Sequence, residues 1–219
     1  MSRAPRIVVA GYGRWIKAER NPAAQIAELL KTESVAGCEL TSVVIPVSSV
    51  ELPDHVCSIL REERPDYWLG LGVNTAGTVI QPEMIGINWR HFSVADVDGA
   101  QPECRPIFSG GPDAYNSGLP NREIVQALCT EGIPAQVSFH AGTHLCNQML
   151  YSVNHLSRTL DMPIRSGFIH VPQTPENVAD AEDEERTCGS MSLAMMAQAI
   201  RIAIGVICDG FTPSTSKAA

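Results

Sequence analysis

The sequence is poor in aromatic residues and in positive charge. Phe, Trp and Tyr account for 5% of its 219 residues, and 16 Lys and Arg face 24 Asp and Glu, which gives a formal net charge of -8. Nucleic acids and anionic membrane surfaces are bound through basic patches, and no such patch is visible along the chain. The composition therefore argues against nucleic acid and membrane as partners and leaves peptides and small molecules.

Long apolar runs are also missing. No uninterrupted apolar segment approaches the ~20 residues that a membrane-spanning helix needs. The chain begins with a short polar stretch and passes directly into an apolar run at residues 6–13, without the long apolar core of a secretory signal. We therefore expect a cytoplasmic protein.

The seven cysteines follow no pairing pattern. Their number is odd and no Cys-x-x-Cys spacing occurs among them; they lie at positions 38, 57, 104, 129, 146, 188 and 208. Neither a disulfide framework nor a zinc knuckle is indicated, so we expect reduced thiols and no metal site. Gly11-Tyr12-Gly13 is not continued into Gly-x-Gly-x-x-Gly, and this argues against a dinucleotide cofactor.

What is present is an alternation of strand-like and helix-like patterns. Apolar runs with the look of buried strands lie at residues 6–13, 40–47, 66–73 and 164–172. Amphipathic spacing predicts helices at residues 22–30, 50–63, 121–129 and 190–208, with Asn21 and Asn121 as N-caps. The pattern predicts an α/β fold with a mixed, mostly parallel, twisted sheet covered by helices on both faces. We expect one three-layer α/β/α domain over residues 1–211 and a disordered tail at residues 212–219.

Cys146 occupies a distinctive place in this pattern. A short β-type run at residues 134–138 is followed by Gly142, and apolar residues then recur at helical intervals from Leu145. This arrangement places Cys146 in the first turn of a helix, where the positive end of the helix dipole favours a thiolate and free backbone N–H groups can hold an oxyanion. The competing interpretation is a small buried hydrophobic residue, which is the commoner role of a cysteine in an apolar helix.

A nucleophilic cysteine needs a base and a group that orients the base. His170 is the best placed of the six histidines, because it lies within an apolar strand near its carboxyl end. Glu83 follows Pro82 in a stretch with no other nearby charge, where a carboxylate needs a partner. Spacing alone does not settle the choice among the histidines, which also include His55, His91, His140, His144 and His155.

Three stretches resemble the pyroglutamyl-peptidase I family, also called pyrrolidone-carboxylate peptidases. They are Pro82-Glu83 with Ile87-Asn88, Ser138 with Ala141-Gly142-Thr143 and Cys146-Asn147, and Gly167 to Pro172 followed by Pro175. The likeness extends over nearly the whole chain. In that family the matching Glu, Cys and His form a catalytic triad, so the resemblance implies Glu83, Cys146 and His170 as the catalytic residues.

The resemblance implies a cysteine peptidase that removes an N-terminal pyroglutamyl (5-oxoprolyl) residue through a thioester on Cys146. The substrate would be a small peptide with a blocked N-terminus, and neither a metal nor a cofactor would be needed. Backbone N–H groups of Leu145 and Cys146 would hold the oxyanion. Tyr12 and Trp15 would pack on the lactam ring, with Val73 and Asn74 near its amide. The family also implies a homotetramer.

The likeness is weaker around the expected pocket. The aromatic loop Gly-Phe-x-Pro-Phe-Gly of the family is replaced by residues 11–16, Gly-Tyr-Gly-Arg-Trp-Ile, and a family Arg ten residues beyond the Glu corresponds to Ser93. Arg90 is the candidate replacement, as an oxyanion contact. Two alternatives therefore stay open: an amidase of the same fold for another small cyclic or N-acyl amide, and an inactive binding or assembly homologue.

Overall fold

The computed structural model describes residues 3–15, 20–35, 37–182 and 188–211. The predicted disordered tail at residues 212–219 and most of the acidic run that begins at Asp180 lie outside these ranges. Within the described ranges no helix is both long enough and apolar enough to cross a membrane.

A five-stranded mixed sheet forms the centre of the molecule. The strands are β1 (Arg6–Tyr12), β2 (Glu39–Ile45), β3 (Tyr67–Val73), β4 (Gln81–Pro82) and β7 (Arg165–Val171). Their order is β2-β1-β3-β7-β4, and the first four strands are parallel, whereas the two-residue β4 is an antiparallel edge. The predicted α/β class with a mostly parallel sheet is confirmed.

Helices cover both faces of this sheet. They are α1 (Pro22–Leu30), α2 (Leu52–Glu63), α3 (Asn121–Thr130), α4 (Leu145–Thr159), α5 (Pro175–Asp180) and α6 (Leu193–Asp209). Alternate strand residues divide the core: Ile7 and Val9 pack with α1, α3 and α6, while Val8, Trp68 and Phe168 pack with α2 and α4. Each fully buried large apolar side chain of this kind stabilises the fold by roughly 1.5–3 kcal/mol.

A two-stranded excursion extends from the sheet edge. Strand β5 (Ile85–Ile87) pairs antiparallel with β6 (Ala114–Asn116), and residues 88–113 connect them. The excursion packs against α4, where the Tyr151 hydroxyl donates to the Pro112 carbonyl at 2.6 Å. The excursion is therefore attached to the helix that begins beside Cys146.

The β-type run at residues 134–138 does not form a regular strand. It pairs with the chain around β4 through two separate parallel bridges, Ile80 with Ala135 and Glu83 with Ser138. The bridges flank Pro82, which has no N–H to donate at the position where a continuous ladder needs one. The prediction of a strand here was wrong in extent, although its two ends make the expected backbone contacts.

The two predicted asparagine caps have different outcomes. Asn21 caps α1, because its side-chain oxygen accepts a hydrogen bond from the Ala23 N–H at 3.0 Å. Asn121 does not cap α3, since Pro120 is the N-cap and Asn121 is the first helical residue. Its side chain is buried and turns inward to donate to the Glu83 backbone carbonyl at 3.0 Å.

Candidate active site

Cys146 is the second residue of α4 and lies above the middle of the sheet. The helix starts at Leu145 after the N-cap His144, whose side chain makes no capping hydrogen bond. The sulfur lies close to the backbone of Gly72 on β3, because a Cβ added to Gly72 would be 2.8 Å from the Cys146 Sγ. The sulfur therefore rests on a strand end that has no side chain at this point.

His170 stands on β7, beside Gly72 in the parallel ladder. Its Nδ1 donates to the Glu83 Oε1 at 2.6 Å, and its ring is also in hydrogen-bonding contact with the Cys146 thiol. Only 1% of Glu83 and 8% of His170 is exposed. One imidazole thus bridges a buried carboxylate and a cavity-facing thiol.

The environment of His170 favours its charged form. Burial of the ring lowers its pKa, but the Cys146 sulfur and the Glu83 carboxylate raise it more, and the resulting pKa is about 10. The imidazole therefore keeps its proton at neutral pH. A protonated imidazole beside a cysteine sulfur can donate a proton to a leaving group.

Backbone contacts hold Glu83 in place. Its N–H donates to the Phe168 carbonyl at 2.9 Å, and its own carbonyl accepts from the Asn121 side chain. Phe168 precedes His170 by two residues on β7, so the same strand positions both members of the carboxylate–imidazole pair.

The first turn of α4 is also fixed from outside the helix. The buried Tyr12 hydroxyl donates to the Leu145 carbonyl at 2.7 Å. The Asn147 side chain accepts from the Ile87 N–H at 2.8 Å and donates to the Ile87 and Trp89 carbonyls at 2.9 Å. The leading N–H groups of a helix have no partner within it, so this turn offers backbone donors next to the Cys146 sulfur.

A cavity of about 490 Å³ opens over Cys146, His170 and Glu83. Tyr12, Trp15, Val47, Val94, His144 and Leu145 contribute to its lining on the side of β1 and β2. Asn74, Thr75, Gln81, Ser138 and His140 contribute polar groups elsewhere in the lining. In the described part of the chain, no group of three or more His, Cys, Asp or Glu could hold a metal ion.

Comparison with known proteins identifies the family. The family model described as pyroglutamyl peptidase matches residues 5–209. The chain belongs to the pyroglutamyl peptidase family.

Individual members are similar over most of their length. The chain is 34% identical over 204 residues to the pyrrolidone-carboxylate peptidase of Vibrio parahaemolyticus, and the match covers 93% of each chain. It is 32% identical over 201 residues to that of Pyrococcus furiosus, with 92% and 97% covered. The solved pyrrolidone carboxyl peptidase of Thermococcus litoralis superposes with a TM-score of 0.89 at 31% identity, and 94% of each chain is covered.

The structure brings together most of the residues that the family resemblance singled out. Tyr12, Trp15, Val73 and Asn74 all line the cavity. Tyr12 is 3% exposed and its hydroxyl is bonded to Leu145, so it supports the start of α4 as well as the wall. The β1–β3 ladder ends at Gly11–Leu71, whereas the β3–β7 ladder continues to Val73, so the Val73 backbone extends beyond its β1 neighbours.

Arg90 is not among the residues that line the cavity. Its backbone pairs with Arg105 in an antiparallel bridge, and burial and the charge of Arg105 both lower the pKa of its guanidinium. The placement of Arg90 therefore gives no support to the expected replacement of the missing family arginine. Ser93 and Val94, the next residues of the same loop to reach the cavity, line it with no positive charge.

Several lining residues were not singled out from the sequence. His144 was noted only as a histidine beside Cys146, yet its Nε2 donates to the Val94 carbonyl at 2.9 Å and its ring stacks on Phe92 at 4.0 Å. Burial lowers its pKa, which keeps this wall uncharged near neutral pH. The other missed residues include Val47, Gln81 and Val94, whereas Ser93, Ser138 and His140 were named in the sequence without a role in the lining. The one sequence feature that could have indicated these residues is their position next to the strand ends or to Cys146.

Proposed function

We propose that this chain is a cysteine peptidase that removes an N-terminal 5-oxoprolyl residue from peptides. The single observation that carries the proposal is the His170 imidazole, which bridges the Cys146 thiol and the buried Glu83 carboxylate at the base of the cavity. Family membership supplies the substrate class, because the relatives are pyrrolidone-carboxylate peptidases.

In the proposed mechanism, the Cys146 sulfur, whose proton is held by His170, attacks the acyl carbonyl carbon that joins the 5-oxoprolyl group to the peptide nitrogen. The N–H groups of Leu145 and Cys146 receive the developing oxyanion. His170, already protonated, gives its Nε2 proton to the departing amine, which leaves an acyl thioester on Cys146. The now neutral His170 then takes a proton from water, and the water attacks the thioester and releases 5-oxoproline. Glu83 orients the ring through Nδ1 in both steps.

The lactam ring fits the side of the cavity that β1 and β2 provide. Tyr12 and Trp15 offer aromatic faces, and Val47 and Val94 complete an apolar wall. Backbone groups at Val73 and the neighbouring Asn74 provide polar contacts for the ring amide. A small ring without charge suits this wall, because His144 contributes no charge near neutral pH.

Turnover of 5-oxoprolyl-aminomethylcoumarin tests the activity. We expect the wild type to release the fluorophore and Cys146→Ser to lose at least ~10³-fold in kcat/KM, since an alcohol is a far weaker nucleophile here. A wild type that is inactive on this substrate but hydrolyses another N-acyl amide would contradict the 5-oxoprolyl assignment. Slow alkylation of Cys146 by iodoacetamide at pH 6, no faster than a model thiol, would contradict the cysteine mechanism itself.

We further propose that the chain acts in the cytoplasm as one domain over residues 1–211 and assembles as a homotetramer. Seven free thiols support a reducing compartment, and the family resemblance supports the tetramer. Light scattering after size-exclusion chromatography measures the assembly, and a monomer at micromolar concentration would contradict it.

A further inference from the structure

The strand order arranges the site along one edge of the sheet. Cys146 lies over Gly72 on β3, with β1 and β2 on one side of it and β7 and β4 on the other. The apolar wall, which includes Tyr12 and Val47, lies at the ends of β1 and β2. His170 lies on β7, on the opposite side of the sulfur.

This arrangement gives the bound peptide a direction. His170 has to reach the departing nitrogen in order to protonate it, so that nitrogen lies on the β7 side of Cys146. The acyl ring then occupies the β1 and β2 side. The peptide that follows the cleaved bond must continue past His170, over β4.

Gln81 stands at this place. It lies directly opposite His170 in the antiparallel β4–β7 pair, and directly opposite residues of such a pair project from the same face. Gln81 also lines the cavity. Its side chain therefore shares the face of the sheet on which His170 meets Cys146.

The hydrogen bonds around Gln81 determine which end of its amide is free. The Ala76 N–H can only donate, so the Asn74 side-chain atom 3.2 Å from it is the oxygen Oδ1. The Asn74 Nδ2 therefore points to Gln81 and donates to Oε1 at 2.8 Å. With Oε1 taken, the amide directs its Nε2 away from Asn74, and no bond from this Nε2 is formed within the described part of the chain.

We propose that the Gln81 Nε2 donates a hydrogen bond to the first carbonyl of the leaving peptide, the carbonyl of the residue that follows the cleaved bond. Every peptide carries an acceptor at this position, so the contact reads the backbone and not the side chain. Neighbouring Ser138 and Thr75 are neutral, which suits a segment recognised through its amides. The inference rests on the proposed 5-oxoprolyl peptidase activity and specifies how that activity selects peptides over other amides.

The test compares two substrates that share the acyl group. One is 5-oxoprolyl-alanyl-alanine, which has the carbonyl, and the other is 5-oxoprolyl-aminomethylcoumarin, which has no peptide carbonyl after the cleaved bond. In Gln81→Met, which keeps the length of the side chain but cannot donate, we expect the ratio of kcat/KM for the peptide to kcat/KM for the arylamide to fall about 2- to 10-fold. Gln81→Glu should lower the ratio in the same direction, because a carboxylate accepts and does not donate.

Gln126→Met is the matched control, since Gln126 is an exposed residue of α3, away from the cavity. We expect it to leave the ratio unchanged. An unchanged ratio in Gln81→Met would overturn the proposal, whether or not activity on both substrates falls equally. Failure of the proposed function looks different, because the wild type would then cleave neither substrate.

Discussion

The two sides of the cavity are built in different ways. On the β7 side, Glu83 and His170 are buried, share a 2.6 Å hydrogen bond and sit on or beside paired strands. On the other side, Trp15, Ser93 and Val94 belong to connecting segments, and they are half-buried or exposed. Regular backbone pairing thus positions Glu83 and His170, while loops, together with Tyr12 at the end of β1, form the surface that would meet the acyl group. The fold therefore constrains the catalytic side chains more than the side chains that would contact the substrate.

Apart from substitutions of Cys146, the largest expected effect concerns the buried carboxylate. Glu83→Gln removes the charge that helps to raise the pKa of His170, and it weakens the bond that orients the ring. We expect kcat/KM for 5-oxoprolyl-aminomethylcoumarin to fall about 10²- to 10⁴-fold. The same change at the exposed Glu176 of α5 serves as the control. Near-normal activity in Glu83→Gln would show that catalysis does not need the carboxylate.

A second prediction tests the strand under the sulfur. In Gly72→Ala, the new Cβ would lie 2.8 Å from the Cys146 Sγ and 2.7 Å from the Phe168 Cζ. We expect kcat to fall about 10- to 100-fold as the sulfur is displaced, and the free energy of unfolding to fall by about 1–3 kcal/mol. Kinetics and urea unfolding measure the two effects.

Gly205→Ala is the matched control for this substitution. Gly205 lies within α6, and a Cβ there would meet nothing within 4 Å. We expect normal activity and a gain of about 0.5–1 kcal/mol in unfolding free energy, because alanine is the better helix former. Similar losses in both variants would show that Gly72 has no special relation to the sulfur.

The loop side should respond in binding more than in chemistry. Trp15 lines the cavity and its ring meets His144 edge to face at 6.2 Å. We expect Trp15→Ala to raise KM for the arylamide about 10-fold while kcat stays within about 3-fold. Trp89→Ala, at an exposed indole outside the cavity lining, should change neither constant. A large fall in kcat in Trp15→Ala would contradict the assignment of the loop side to substrate binding.

The smallest effect is a shift in titration. The folded-state pKa of His170, about 10, lies above the unfolded value of ~6.5. Its charge therefore stabilises the fold fully below about pH 6.5, and this contribution is lost as the pH rises to about 10. Cys146→Ala removes the sulfur that helps to raise the pKa, so NMR should find His170 titrating at lower pH in the variant. An identical His170 pKa in both proteins would show that the Cys146 sulfur does not influence the imidazole.

The fold could largely be predicted from the sequence, and so could the side chains that meet beneath the cavity. The four seven-residue strands coincide with apolar runs in the sequence, and Cys146 follows a glycine turn at the start of a helical pattern. Both features can be recognised from neighbouring residues alone. His170 carried a further signal, since an imidazole within a buried strand needs a partner. The choice of Glu83 as that partner depended on the family likeness, because the two residues lie 87 positions apart.

The rest depended on tertiary contacts that no local rule describes. Asn121 has the sequence of a cap, but it is the first helical residue and its side chain turns inward to donate to the buried Glu83 carbonyl. The run at residues 134–138 has the composition of a strand, but its pairing partner contains Pro82.

Arg90 lies close in sequence to Ser93, yet the course of the excursion turns its backbone to Arg105. Gln81 gave no signal at all, because its role follows from the register of β4 with β7.

Asn147 has a consequence for how such sites diversify. Its amide holds residues 87 and 89 entirely through their backbone N–H and carbonyl groups. The attachment is thus indifferent to which side chains the excursion carries. The side chains at positions 87 and 89 can therefore change without loss of these three hydrogen bonds, which keep the segment attached beside Cys146.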